Sequence, residues 1–304
     1  MKKYINKLIL LTILAIGLNS CEDSLPDQYV NQTIVQGYLL VDKPISGILV
    51  TNSKPIFGKF DETSAQITNA IVQIYYLNST TNKFDTLNLQ YRGFGEIGYY
   101  YHDANLLVKP NTTYYLKIQL NNGKIITGQT STPERFDWVN APKEKVYYPT
   151  DTLKLPHMPE YDISWTKASK SNFYLIRTIC HDTVEYGKYL SPADPGDKNR
   201  KCYNLISHMD ENQKHTYYKN VTNWNLIGDS ITPTVWMAFK WFGSHTVTVY
   251  SPDNNMFNWF KNTYFTNSTE NDPLLSSVKG SNTYGVFGSA AIVEKDMFLY
   301  KNQK

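Results

Sequence analysis

Gly93-Phe94-Gly95-Glu96-Ile97-Gly98 satisfies G-x-G-x-x-G, the spacing that lets a backbone approach a dinucleotide's pyrophosphate when a strand precedes it and a helix follows. Here Tyr99-Tyr100-Tyr101 follows, which is strand sequence, so these glycines are expected to shape a β turn or bulge. The six histidines (His102, His157, His181, His208, His215 and His245) are scattered, and none forms the i, i+4 helical pair of a zinc protease. His102-Asp103 and His181-Asp182 are adjacent pairs, but neighbours on a strand point to opposite faces and do not converge on one ion. There is no G-x-S-x-G elbow, and the sequence suggests no partner for Ser244-His245. A carboxylate pair for glycoside hydrolysis stays open, because acids that meet in space need not be close in sequence. The expectation is a non-enzymatic protein with no catalytic residue, no cofactor and no metal.

Aromatic side chains are the other candidates for recognition. Trp224, Trp236, Trp241 and Trp259 lie in the C-terminal half, and tryptophan faces stack on sugars or anchor protein interfaces. Alternation in TVWMAFKWF puts Trp236 on the face of Ala238, Lys240 and Phe242, and Trp241 on that of Met237 and Phe239. Core packing is the expected role, with one of the two left open to face outward.

These residues must be carried by β structure. Thr33 to Val41, Ile71 to Leu77, Tyr99 to His102 and Tyr114 to Leu120 read as strands, and Asn121-Asn122-Gly123 supplies a hairpin turn into Lys124 to Thr130. Lys109 to Tyr114 resembles the entry into a late strand of immunoglobulin-like and prealbumin-like modules, and Thr132-Pro133-Glu134 reads as a boundary. Beyond it, Tyr161 to Lys167 and Asn172 to Ile179 resemble the early strands of a fibronectin type III domain, with Trp165 filling the core. Thr234 to Phe239 and His245 to Ser251 read as further strands, and Asp253 can cap a helix with Met256, Phe257, Phe260 and Tyr264 on one face. The expected fold is all-β: two β-sandwich domains, immunoglobulin-like or fibronectin III-like, over residues 33–133 and 134–304, with one short late helix.

The N-terminus carries an address. Lys2, Lys3 and Lys7 precede an apolar run from Leu8 to Leu18, which falls short of the ~20 apolar residues a membrane span needs. Leu18-Asn19-Ser20-Cys21 resembles the lipobox of bacterial lipoproteins, which implies a signal peptide over 1–20 and lipid on Cys21. Glu22 and Asp23 open a tether over 21–32 and resemble a surface-export signal; the composition serves a plain solvated tether equally well. Of 30 basic and 27 acidic residues, three lysines fall in the signal, so the mature chain is formally neutral and has no basic stripe for nucleic acid. Apart from Cys21, the only cysteines are Cys180 and Cys202, an even pair in an oxidising compartment. A disulfide between them would close a loop rich in Pro, Gly and charge, worth roughly 3 kcal/mol in the chain-entropy model.

Taken together, the cysteine with its acidic followers, Val35-Gln36-Gly37-Tyr38, and the closing Tyr284-Gly285-Val286-Phe287-Gly288 resemble Bacteroidota outer-membrane lipoproteins of the family called domain of unknown function four-two-four-nine. Ser281 and Asn282 stand where that family's usual paired glycines would be. The resemblance implies a companion of a TonB-dependent outer-membrane transporter, with no assigned activity; together with the lipid anchor and the paired β domains, the leading expectation is a surface-exposed outer-membrane lipoprotein that captures a ligand or braces such a transporter or another outer-membrane barrel. The alternative is an adhesin or glycan-binding lipoprotein independent of any transporter. The closing glycines are expected where no side chain fits. Ser24, Thr86, Thr152, Thr183 and Ser230 each follow an aspartate and precede an aliphatic residue, a pattern resembling the O-glycosylation signal of exported Bacteroidota proteins; Asp-Ser and Asp-Thr are also ordinary turn dipeptides.

Overall fold

The computed structural model describes residues 29–55, 62–94, 97–103, 105–149, 157–169, 171, 173–181, 223–236, 239, 242–265 and 275–300. Its strands are β1 (Thr33–Leu40), β2 (Leu49–Asn52), β3 (Ile71–Asn78), β4 (Lys83–Phe94), β5 (Ile97–Tyr101), β6 (Thr113–Gln119), β7 (Ile125–Ser131), β8 (Trp138–Asn140), β9 (Lys145–Tyr147), β10 (Ile163–Trp165), β11 (Tyr174–Cys180), β12 (Asn223–Ile227), β13 (Ile231–Thr232), β14 (Gly243–Pro252), β15 (Val278–Lys279) and β16 (Thr283–Tyr300). Among the described residues two short α-helices accompany them, α1 (Glu62–Ala65) and α2 (Asn254–Phe260).

The alternation in β1 is complete: Thr33, Val35, Gly37 and Leu39 are buried while their neighbours are half-buried. That face meets the sheet β15-β7-β6-β3-β4-β5 around a core holding Val35, Leu39, Ile48, Ile74, Leu116 and Phe287. Each strand supplies every second residue, so one face is apolar and the other is left to solvent. Gly93 pairs with Gly98 across the β4–β5 hairpin, so the G-x-G-x-x-G residues lie in strand pairing and do not open a helix.

The second core gathers Phe136, Ile163, Trp165, Tyr174, Ile176, Trp236, Val247, Val293, Met297 and Leu299 between β8-β10-β13 and the sheet β12-β11-β14-β16. Trp165 is buried, with Trp138 and Tyr174 edge-on to its ring. Thr234 to Phe239, expected as a strand, is not one among its described residues. Phe239 N donates to Trp236 O across a turn at 3.1 Å. Trp236 and Phe239 both enter this core, and a three-residue separation places them on one side only if the chain turns; strand alternation would have split them.

One strand serves both cores. The first half of β16 runs parallel to β1, with Thr283 opposite Thr33 and Ala290 opposite Leu40. The second half pairs antiparallel with β14 and, at its end, parallel with β9. Phe287 therefore lies in the first core, and Val293, Met297 and Leu299 in the second. At about 3.3 Å per residue this strand spans roughly 60 Å. Ion pairs pin the same junction: Arg135 binds Asp42 through two hydrogen bonds of 2.6 and 2.7 Å, and Lys43 meets Glu294 at 2.5 Å. The guanidinium beside Asp42 holds its carboxyl below the usual range.

Helix α2 forms where a cap was legible. Asp253 accepts from Met256 N at 2.9 Å, and Met256 and Phe260 pack with Leu175, Tyr250 and Ala290 against the outer face of the large sheet. Phe257 stacks on Phe173 with centroids 4.7 Å apart.

Candidate functional site

Between the end of β7, the crossing at Thr132–Glu134, the 168–171 turn and the start of α2 lies a cleft of about 530 Å³. That size falls within the ~300–1,000 Å³ range of small-molecule sites. Its walls are polar for a structural reason: they are strand ends, a crossing and a helix start, where Ser, Thr, Asn and Asp satisfy backbone groups that no ladder reaches. Asn111 and Thr113 enter from one side, Gln129 to Ser131 form one wall, and Ser251, Asp253, Asn254 and Asn255 face them.

Asp253 is the hinge of this arrangement. Its Oδ1 accepts from Met256 N at 2.9 Å and from Ser289 N at 3.0 Å, and its Oδ2 accepts from Thr130 Oγ1 at 2.6 Å. Thr130 Oγ1 also lies 2.8 Å from Ser289 Oγ. A hydroxyl has one proton, so Thr130 gives it to the carboxylate and receives from the serine. One side chain thus joins β7 of the first sandwich, the shared strand β16, and α2. Burial pushes the Asp253 carboxyl upward, against the lowering by these hydrogen bonds. Asp253→Ala should cost about 2 kcal/mol, from the lost cap and the partners left unpaired. Asp253→Asn, which keeps an acceptor for both amides, should recover most of it; equal losses for the two in urea denaturation would refute this role.

Glu134 Oε1 accepts from Ser169 N and fixes the 168–171 turn to the crossing. Asn255 Nδ2 donates to Gln129 O at 2.7 Å and Phe287 O at 2.9 Å. One group is left over. Ser251 Oγ is buried and has no hydrogen-bond partner. No lysine, arginine or histidine is among the described lining residues, and no group of three His, Cys, Asp or Glu among the described residues could hold a metal.

The residues expected from sequence are distributed differently. Cys21, Ser24, Thr152, Thr183 and Cys202 lie outside the described residues. Cys180 ends β11, buried, with its Sγ 3.7 Å from Phe242 O; as the only described cysteine, its pairing with Cys202 is not described. Thr86 is exposed on the outer face of β4, opposite Tyr75. Ser230 is half-buried in the bend before β13, and its carbonyl accepts from Trp165 N at 2.9 Å. Trp236 is buried; Trp241 lies outside the described residues. Of the expected site residues that are described, Thr86, Cys180 and Ser230, none lines the cleft. Its one sequence signal was the Asp253 cap, which says nothing about the opposite wall.

The family model described as Domain of unknown function (DUF4249) matches residues 21–296. No curated protein matches the chain. Two solved structures are similar: the crystal structure of DIP-gamma IG1+IG2, at 7% identity over 91% of this chain and 99% of that one with a TM-score of 0.19, and Dpr11 IG1 bound to DIP-gamma IG+IG2, at 8% identity over 90% and 100% with 0.20. Scores this low carry no argument about shared geometry.

Proposed function

Since the chain belongs to the family described as Domain of unknown function (DUF4249), we propose that it is a non-enzymatic lipoprotein of the bacterial cell surface, held on the outer membrane by lipid on Cys21, that captures a ligand beside a TonB-dependent transporter. The observation that carries the capture role is the polar cleft, built by both sandwiches and braced by Asp253 and the shared strand. A site so braced is preorganised, which lowers the ordering cost of binding. The address rests on the lipobox resemblance at Leu18 to Cys21 and the acidic residues after it.

Affinity purification from gently solubilised outer membrane tests the reading. Recovery of a large β-barrel with the lipoprotein is expected. Recovery of the lipoprotein alone would overturn the transporter association and favour an independent adhesin or glycan-binding lipoprotein.

A further inference from the structure

Resting on the lipid-anchor reading, we infer that the end of the first sandwich where the tether emerges lies against the lipid surface, with Ile71 and Ile125 entering its headgroup layer. Strands β1, β3, β7 and β16 all begin at this end. Lys124, just before β7, donates from Nζ to Thr33 Oγ1 at 3.0 Å and to Asn282 O at 2.9 Å, which brings the starts of β1, β7 and β16 together. Ile71 is opposite Gln119, and Gln119 is opposite Ile125, so β3 starts in the same row.

Apolar side chains gather here. Tyr29, Val30, Ile71 and Ile125 are 47 to 56% exposed, and Leu275, just before the 276–277 segment held to Gly285, is 57% exposed. Single exposed apolar residues are ordinary, whereas several at one end of a sandwich mark a contact. Ile71 and Ile125 point away from the core that their neighbours Val72 and Ile126 enter. One outward-facing row further into the sheet the chemistry changes. Gln73, Lys117, Thr127 and Lys279 stand in register there across β3, β6, β7 and β15. The two rows are two residues apart, about 6.6 Å along a strand, close to the ~6 Å depth of one headgroup layer. An apolar row ahead of a lysine row at that spacing fits a lipid surface, where the acyl boundary lies beneath phosphate-bearing headgroups.

The tether sets the distance. Gln32 N donates to Ser53 Oγ at 2.9 Å, and Tyr29 Oη lies 2.8 Å from the same oxygen, so residues 29–32 are tied to this end. Eight residues, Cys21 to Gln28, join that point to the lipid, a reach of no more than about 28 Å. The chain itself holds this end near the membrane, so its contact with lipid is intramolecular and a modest apolar patch suffices as the second attachment. Thr130 and the cleft lie five residues up β7 from Ile125 and so stand roughly 17 Å above the headgroups.

The test uses the full lipid-anchored chain in phosphatidylcholine–phosphatidylglycerol vesicles, with and without bromine on the acyl chains. Ile71→Trp and Ile125→Trp are read against the parent, whose six tryptophans set the baseline. Each should add blue-shifted emission that is lost to brominated lipid. Phe84 is opposite Leu77, about 20 Å along β3 from Ile71, and Phe84→Trp should add emission that brominated lipid leaves intact. Lys117→Glu with Lys279→Glu should lessen the loss at Ile125→Trp, most in vesicles rich in phosphatidylglycerol. A chain that stays with the vesicles while Ile71→Trp and Ile125→Trp are quenched no more than Phe84→Trp overturns the inference and keeps the anchor. A photocrosslinker at position 125 that captures a barrel protein in the native membrane, with no quenching in vesicles, assigns the face to a protein partner and also overturns it. Absence of lipid on Cys21, with the chain lost from the vesicles, removes the anchor reading and the inference with it.

Discussion

Replacing Gly285 with alanine should cost about 4 kcal/mol or more, enough to unfold much of the protein at ambient temperature. Gly285 has φ +141°, a backbone conformation closed to L side chains. An added Cβ would lie 1.8 Å from the carbonyl oxygen of Val35 and 2.8 Å from its carbonyl carbon and nitrogen. Those atoms belong to β1, directly opposite Gly285 in the parallel ladder, and Val35 is wholly buried. Neither strand can give way without losing the pairing that holds the first core. Gly285 O also accepts from Ser277 N at 3.0 Å, so the 276–277 segment moves with it. The closing glycine motif therefore marks close approach of two backbones rather than a ligand site. Urea denaturation followed by circular dichroism checks this; a loss below about 1 kcal/mol would show that the strands do not meet as described.

Acid should weaken the protein through one histidine, by about 3 kcal/mol between pH 6.5 and pH 4. His245 is buried on β14, where desolvation lowers its pKa from 6.5 to about 4; a hydrogen bond to Gly243 O at 2.9 Å opposes the shift, and His181 adds to it. Its Nε2 has no hydrogen-bond partner, and Phe239 sets a ring edge-on at 5.3 Å, so the neutral imidazole suits the site and the cation does not. The sign follows. Below pH 6.5 the unfolded chain takes up a proton that the folded chain refuses, so stability falls with pH until the folded ring also titrates near 4. Asp253, raised by burial, works in the opposite direction over its own range. Stability measured from pH 7 to 4 should show the loss, and His245→Leu should flatten it; an unchanged slope in that variant would assign the acid sensitivity elsewhere.

What could be read from the residues was local. Strict alternation around Val35, Ile74 and Leu116 marks strands with one buried face, and Asp253 before Met256 marks a helix start; all of these hold. The two-sandwich, all-β architecture followed from them. The pairing of β1 with β16 joins residues some 250 positions apart, and no short-range pattern encodes such a partner. Thr234 to Phe239 misled because apolar residues in a row fit a strand as well as a buried turn, and only the shared core of Trp236 and Phe239 decides between them. The cleft was invisible for a related reason: its walls come from separate stretches of ordinary polar residues, from Asn111 to Asn255. Thr86 is an intermediate case. Its alternation with Leu87 and Leu89 allows either face, and the inward packing of those leucines turns Thr86 outward.

Because β16 threads both cores, the sandwiches are expected to hold the cleft as one unit, and the tether's lipid would then decide where that unit works. The mass of the mature protein purified from its native membrane tests this most directly. A chain beginning at Cys21 and carrying diacylglycerol is the expected result, with Cys21→Ala leaving the membrane fraction or remaining uncleaved. A mature N-terminus elsewhere with no lipid, or a Cys21→Ala protein cleaved and still membrane-bound, would contradict it.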